Sequence, residues 1–199
     1  YSPTLMVSHA NLAVKDVRDL VAQLKAKPDK FAYASAGNGT APHFAAEFFK
    51  LNAGVQMLGV PYKGSAPAVS DTIGGQTQIM FPSFFTALPH VKAGKLKALA
   101  LAGPKRSPLL PDVPTAQELG HKVALDAWRG IAVPKGTPKM VIATLENAIR
   151  LTLQSSEFIS GSERLYVKPA FLPAAEFGAL IAREDGELAK LMTLIGIKE

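Results

Sequence analysis

The feature that most constrains this chain is an alternation running through residues 31–101: apolar run, short loop of small or turn-forming residues, helical period, three times over. Short strands are expected at 31–35, 55–60, 77–81 and 96–101. Between them, helices begin at Pro42, Ala66 and Thr86 and are stopped by Asn52 and Gly54, by Gly74-Gly75 and by Gly94. Phe44, Ala45, Phe48 and Phe49 form the apolar side of the first of these. Strand, loop and helix in this order predict an α/β fold with a mostly parallel sheet flanked by helices. The architecture repeats without any repeat in sequence.

Outside that region the signals are simpler. Residues 4–7 form a short apolar stretch, and Asp16 opens a helix with Val17, Leu20, Val21 and Leu24 at helical spacing, ended by Lys27-Pro28-Asp29. Residues 103–114 are proline-rich and read as a wrapping loop; Thr115 caps a short helix ending at Gly120. Residues 123–133 read as extended and hold Trp128, a core or hinge residue rather than a stacking platform. Thr137 is the expected N-cap of a helix with Pro138 at its first position and Val141, Leu145, Ala148, Ile149 and Thr152 or Leu153 on one stripe. A helix over 157–165, a strand over 166–168 and a helix over about 174–194 complete the chain. Phe177, Leu180, Ile181, Leu188, Leu191 and Ile195 of the last helix are expected to face inward. The composition shifts once, near residues 126–134, from alternation to helix.

Composition narrows the function classes. Of 199 residues, 48% are apolar and 19% charged, which allows a packed core in one domain or two small lobes. No apolar run reaches the roughly 18 residues of a membrane span, and no charged-then-apolar leader opens the chain, so no signal peptide is expected. Cysteine is absent, which excludes disulfides, thiolate zinc sites and a cysteine nucleophile. That absence suits the cytoplasm and bacterial secreted proteins alike. The net charge is +6, but the basic residues are scattered; Lys25-Ala26-Lys27 and Lys105-Arg106 are the tightest groups. Nucleic-acid binding is therefore not expected, and a basic surface that draws in anions is.

In an open parallel sheet, ligands bind outside the carboxyl ends of the strands. Three loops meet that edge, over 35–42, 61–66 and 82–86, and each runs into a helix N-terminus, where backbone N–H groups and the helix dipole favour an anion. In the first, Gly37 and Gly39 permit a sharp turn, Ser35, Asn38 and Thr40 offer short donors, and His43 lies on the first helical turn. Two readings stand: an anion clasp, or a tight turn in which Thr40 merely caps the helix. The Gly-x-Gly here runs into Pro42 with no acidic residue about twenty positions on, and Gly39-Thr40 lacks the P-loop lysine, so dinucleotide and NTP sites do not fit. In the second loop Tyr62 and Lys63 are either a phenol and ammonium closing on a carboxylate or a surface lysine beside a half-buried tyrosine.

Catalytic roles do not assemble. Ser35, His43 and Asp71 make a triad only on paper, and Ala34-Ser35-Ala36-Gly37 is not a nucleophile elbow. His9, His43, His90 and His121 have no metal-ligand spacing. Glu184, Asp185 and Glu187 read as a solvated helix face. No catalytic residue, cofactor or metal is expected.

Tyr33-Ala34-Ser35-Ala36-Gly37-Asn38-Gly39-Thr40-Ala41-Pro42-His43 and Val60-Pro61-Tyr62-Lys63-Gly64-Ser65-Ala66-Pro67-Ala68 resemble the two hallmark segments of tripartite tricarboxylate transporter solute receptors, the Bug receptors. Residues 87–96, Lys105-Arg106-Ser107-Pro108, Pro111-Asp112-Val113-Pro114-Thr115 and Pro134-Lys135-Gly136-Thr137-Pro138 extend the likeness from about Val14 to the C-terminus. The resemblance implies a type II periplasmic-binding-protein lobe and a periplasmic receptor that closes two lobes on a small carboxylate and hands it to membrane transporter subunits. It carries Ser35, Ala36, Gly37, Asn38, Gly39, Thr40 and His43 over as ligand-binding residues, with Tyr62, Lys63, Gly64 and Ser83. One departure is Phe81-Pro82-Ser83, where such receptors have Phe-Asp-Asn. The resemblance also implies that residues 1–126 are the second ligand-binding lobe. Residues 127–199 would be the hinge return and C-terminal helices of the first lobe, whose N-terminal part is absent here. On that expectation the chain alone binds a carboxylate more weakly than micromolar. A small hydrolase or lyase using Ser35 or Lys63, and a truncated non-binding remnant that self-associates through first-lobe helices, are the alternatives.

Overall fold

The computed structural model describes residues 2–103, 105–120, 126–164, 167 and 169–196. They fall into two compact units, Ser2–Ala127 and Trp128–Glu199.

The first unit is built on a sheet whose strands lie in the order β3-β2-β4-β1-β5. These are β1 (Ser2–His9), β2 (Ala32–Ser35), β3 (Leu58–Pro61), β4 (Ile79–Met80) and β5 (Leu96–Ala102). A two-residue strand, β6 (Asp126–Ala127), pairs with the start of β1. β2 is parallel to both β3 and β4. β1 is antiparallel to β4 and to β5, so it alone runs against the direction shared by the other four. The α/β fold with helices flanking an open sheet is as the alternation predicts, but the sheet is mixed: β2 makes two parallel pairings and β1 three antiparallel ones. The apolar stretch at residues 4–7, buried on both faces, carries no directional signal, because a continuous apolar run reads the same both ways.

Helices cover both faces. α1 (Val17–Ala26) and α2 (Ala41–Ala53) lie on one: Val17, Leu20, Leu24, Ala45, Ala46 and Phe49 pack with Tyr33, Ile79 and Phe81. α3 (Ser65–Ile73) and α4 (Phe84–Lys92) lie on the other, where Ala68, Val69, Phe84, Ala87 and Leu88 meet Leu5, Val7, Ala34, Met80 and Leu101. Asp16 caps α1 as expected, its carboxylate accepting from Asp19 N–H at 2.9 Å. Gly54, at φ 61°, ends α2 in the left-handed conformation that glycine adopts without strain.

The second unit holds α5 (Lys139–Gln154), α6 (Ser156–Arg164) and α7 (Ala174–Ile195). Trp128 donates from Nε1 to Glu184 at 2.6 Å and stands edge-on to Phe177, ring centres 4.9 Å apart. α5 buries none of its side chains, and Met140 is 83% exposed. Among the described residues no helix is long and apolar enough to cross a membrane.

Several local expectations are corrected. Residues 115–120 form turns rather than a helix: Glu118 N–H donates to Thr115 Oγ1 and Thr115 N–H to the Glu118 carboxylate, a capping box with no helix after it. Arg106 holds that carboxylate as well, which keeps Glu118 below the usual carboxylate range. Pro138, not Thr137, is the cap of α5; Thr137 Oγ1 donates back to Pro134 C=O. The strands expected at 31–35, 55–60 and 77–81 are reduced to 32–35, 58–61 and 79–80, while that at 96–101 extends to Ala102; Val55 and Met57 plug the core instead of pairing. Val141 and Leu145 of the α5 stripe are exposed, and so is Ile181, expected inward on α7. Glu184 leaves its solvated face to bond Trp128. Of the strand expected at 166–168 only Val167 is described; it is not in a strand, and its N–H donates to Ser162 C=O at 2.9 Å. Residues 123–125 of the extended piece and the side chains of Leu191 and Ile195 lie outside the described residues.

Candidate functional site

The parallel strands β3, β2 and β4 bring the ends of three loops to one edge of the first unit. β2 is the central strand of the three. Its helix, α2, leaves toward one face, while α3 and α4, which follow its two neighbours, leave toward the other. Such a switch point opens a crevice at the carboxyl edge of a sheet. Here the loop at residues 36–40 lies at that edge, between the end of β2 and the start of α2.

Backbone hydrogen bonds lace the first two loops together. Tyr62 N–H donates to Ser35 C=O at 3.0 Å, and Gly64 N–H donates to Ala36 C=O at 3.2 Å. Gly37 at φ 124° and Gly39 at φ 75° take conformations that side chains disfavour. A Cβ on Gly37 would also stand 3.5 Å from Tyr62 C=O, so the two loops approach through that glycine. Gly64, at φ 110°, turns the second loop into α3.

The helix starts are bare of side-chain caps. Thr40, Gly64 and Ser83 hold the N-cap positions of α2, α3 and α4, and none offers a side-chain acceptor to its helix. Thr40 Oγ1 donates instead to Gly37 C=O at 2.6 Å, so it braces the loop and does not cap the helix. Ser83 Oγ pairs with Thr86 Oγ1 at 2.7 Å, and Ser83 bridges to Thr4 of β1. First-turn amides without side-chain caps retain their partial positive charge, the feature that helix N-termini use to hold anions.

The remaining side chains divide into exposed and held. Asn38, Gly39 and Lys63 are exposed. Tyr62 is half-buried; burial, followed by its hydrogen bond and proximity to Asp71, pushes its phenol above the usual range. His43 accepts a hydrogen bond from Gly39 N–H at Nδ1, 3.2 Å away. Burial pushes its imidazole below the usual range, with Glu47 opposing and Lys50 assisting. Ser35 is 1% exposed. Ser35, His43 and Asp71 are thus not a triad: the serine is buried, the histidine serves Gly39 and the aspartate serves Tyr62. Among the described residues no cluster of His, Cys, Asp or Glu suits a metal ion.

Sequence reasoning missed a support beneath the loop. Tyr33 Oη donates to Glu47 Oε1 at 2.6 Å, and Lys50 Nζ bonds both oxygens of the same carboxylate at 2.8 and 2.9 Å. This ties β2, the strand entering the loop, to α2, the helix leaving it. Burial and Glu47 raise the Tyr33 phenol far above its ordinary value. The Glu47–Lys50 half was readable as an i,i+3 pair. The Tyr33–Glu47 half crosses two elements and leaves no spacing signal.

The chain is similar to known proteins over nearly all its length. The family model described as "Tripartite tricarboxylate transporter family receptor" matches residues 1–195. BugT of Bordetella pertussis is 32% identical over 197 residues, covering 98% of this chain and 60% of its own length. A Pseudomonas sp. (strain P51) protein from the tcbD-tcbE intergenic region is 32% identical over 170 residues, 84% of this chain and 51% of its own. The chain therefore spans between half and three-fifths of these relatives. Among solved structures, the periplasmic binding protein BugD superposes with a TM-score of 0.90 at 30% identity, over 99% of this chain and 67% of its own. R. palustris Rpa4515 with adipate gives 0.90 at 26%, over 98% and 66%. MatC of Rhodopseudomonas palustris with bound malate gives 0.86 at 27%, over 98% and 66%.

Proposed function

Because this chain belongs to the tripartite tricarboxylate transporter receptor family, we propose that it captures a small carboxylate at the sheet edge formed by residues 35–40, 62–64 and 83, and presents it to a membrane transporter in the periplasm. The family and its solved members are binding receptors, not enzymes. The observation that carries the proposal is the laced pair of loops. Two glycine-bent segments are joined by Tyr62–Ser35 and Gly64–Ala36 bonds beside three helix starts that lack side-chain caps. Adipate and malate in two structural neighbours support a carboxylate as the ligand class. Preorganised backbone donors suit a carboxylate because they add attraction without a buried countercharge. Lys63, exposed beside Tyr62, supplies long-range attraction.

The same reading takes residues 1–126 as the second ligand-binding lobe and residues 127–199 as hinge return and C-terminal helices of the first. Met140 and Leu151 of α5 and Leu194 of α7 are each more than half exposed, which supports helices made to pack on further protein. Self-association through that surface is expected to show as concentration-dependent sedimentation.

Calorimetric titration of the 199-residue chain with mono-, di- and tricarboxylates tests the binding. Heat is expected with at least one of them, lost on Gly37→Val or Gly64→Val and kept in Lys25→Ala, an exposed residue at the end of α1, which leads to the opposite, amino edge of β2. Silence toward every carboxylate, or equal heat from the glycine variants, would refute the site.

A further inference from the structure

One hydrogen bond at the loop is not explained by anion binding. A backbone amide can only donate, so the ring atom of His43 facing Gly39 N–H is an unprotonated nitrogen, and the neutral ring carries its proton on Nε2. His43 is the third residue of α2 after its Thr40 cap. From that position a side chain reaches back to the amides preceding a helix, as the glutamate of a capping box does. Here the acceptor is an imidazole, and its target is a glycine at φ 75°.

We infer that His43 is a proton-operated latch on the glycine loop: neutral, its Nδ1 holds Gly39 in place; protonated, it releases the loop and weakens carboxylate capture. The second half rests on the carboxylate reading of the site. The loop's other ties lie at its ends. Gly64 N–H holds Ala36, and Thr40 Oγ1 holds Gly37. Asn38 and Gly39 between them are exposed, so the His43 bond is what reaches the middle. An imidazolium has no lone pair at Nδ1 and cannot keep it.

The surroundings fix the direction. The charges acting on His43 are Glu47 and Lys50 of its own helix, and they oppose one another. Tyr33 of β2 donates its phenol to Glu47, and Tyr62 of the adjoining loop is held by Asp71; Lys63 of the same loop is exposed and cationic. A helix N-terminus also disfavours a cation in its first turn. The latch is therefore closed at neutral pH and opens in acid. Simple charge attraction makes the opposite prediction, since an imidazolium would draw a carboxylate in.

Nuclear magnetic resonance of the full chain without ligand reads the latch directly. The Gly39 amide and the His43 ring nitrogens are expected to titrate together, with a midpoint below the ordinary value near 6.5. Malate and adipate affinities, measured between about pH 5.5 and 8 and corrected for the protonation of each acid's own second carboxyl, are expected to fall several-fold in acid around the same midpoint. His43→Gln, which keeps an acceptor that does not titrate, should flatten that profile. His43→Phe should hold the Gly39 amide at its acid position at every pH. A Gly39 amide that ignores His43, or affinity that rises in acid, would overturn the latch. Gly39 tracking His43 while neither acid binds at any pH would overturn the carboxylate reading and the capture half, and leave the latch standing.

Discussion

Gly59 and Tyr33 show how single residues shape the support of the site. A Cβ on Gly59 would lie 2.8 Å from Tyr33 Oη and 3.0 Å from Cζ, so the missing side chain is the room the tyrosine occupies. Gly59→Ala is expected to destabilise the fold by about 1–3 kcal/mol in urea unfolding, the usual cost of overpacking. Tyr33→Phe keeps the ring and removes the bond to Glu47, which retains Lys50; about 1 kcal/mol is expected. His43 gives a pH prediction whose sign is fixed by its lowered pKa. Between that folded value and the unfolded value near 6.5, the unfolded chain binds a proton that the folded chain does not. The contribution to stability is full above the unfolded value and is lost progressively as pH falls from there through the lowered folded value. The urea midpoint should drop with acid below about pH 6.5, and drop less in His43→Gln. Residue identity was legible where a motif spelled it out, as in Gly37, Gly39 and Thr40. It was not legible where partners come from separate elements, as with Tyr33 and Glu47 or Tyr62 and Asp71.

Among the helices of the first unit, side-chain capping sets α1 apart from the three helices at the candidate edge, although α5 and α7 also start without such a cap. α1 has the side-chain cap that α2, α3 and α4 lack. Asp16→Ala should cost about 1 kcal/mol, seen as a lower denaturation midpoint. Thr40→Val should leave α2 intact by circular dichroism while loosening the loop, because Thr40 serves Gly37 and not the helix. The helices were readable from apolar spacing and glycine stops: the stripe Val17, Leu20, Leu24 is fully buried, and Gly54 ends α2. Starts were read one to two residues late because Pro42, Ala66 and Thr86 follow the true first residues Ala41, Ser65 and Phe84. The direction of β1 was hidden for a different reason. It is set by which neighbours it joins, β4 and β5, and that is a long-range choice.

At the scale of the molecule, burial is unequal between the two units. The core residues sit almost wholly in Ser2–Ala127, and Leu180 is the one apolar side chain in the buried core from Trp128 onward among the described residues. Amide hydrogen exchange should follow that division, with α5 and α6 exchanging well before β1 and β5. Equal protection in α5 and β1 would contradict it. The site itself needs the whole sheet order, since residues 36–40, 62–64 and 83 converge only because β2 lies between β3 and β4. The most direct test of the carboxylate site is a heteronuclear correlation titration of the full chain with malate or adipate at neutral pH. The expected result is saturable movement of the amides of Gly37, Asn38, Gly39, Thr40, Tyr62, Lys63 and Gly64 while β5 stays still. Saturable movement confined to other surfaces, or no movement with either acid, would contradict it.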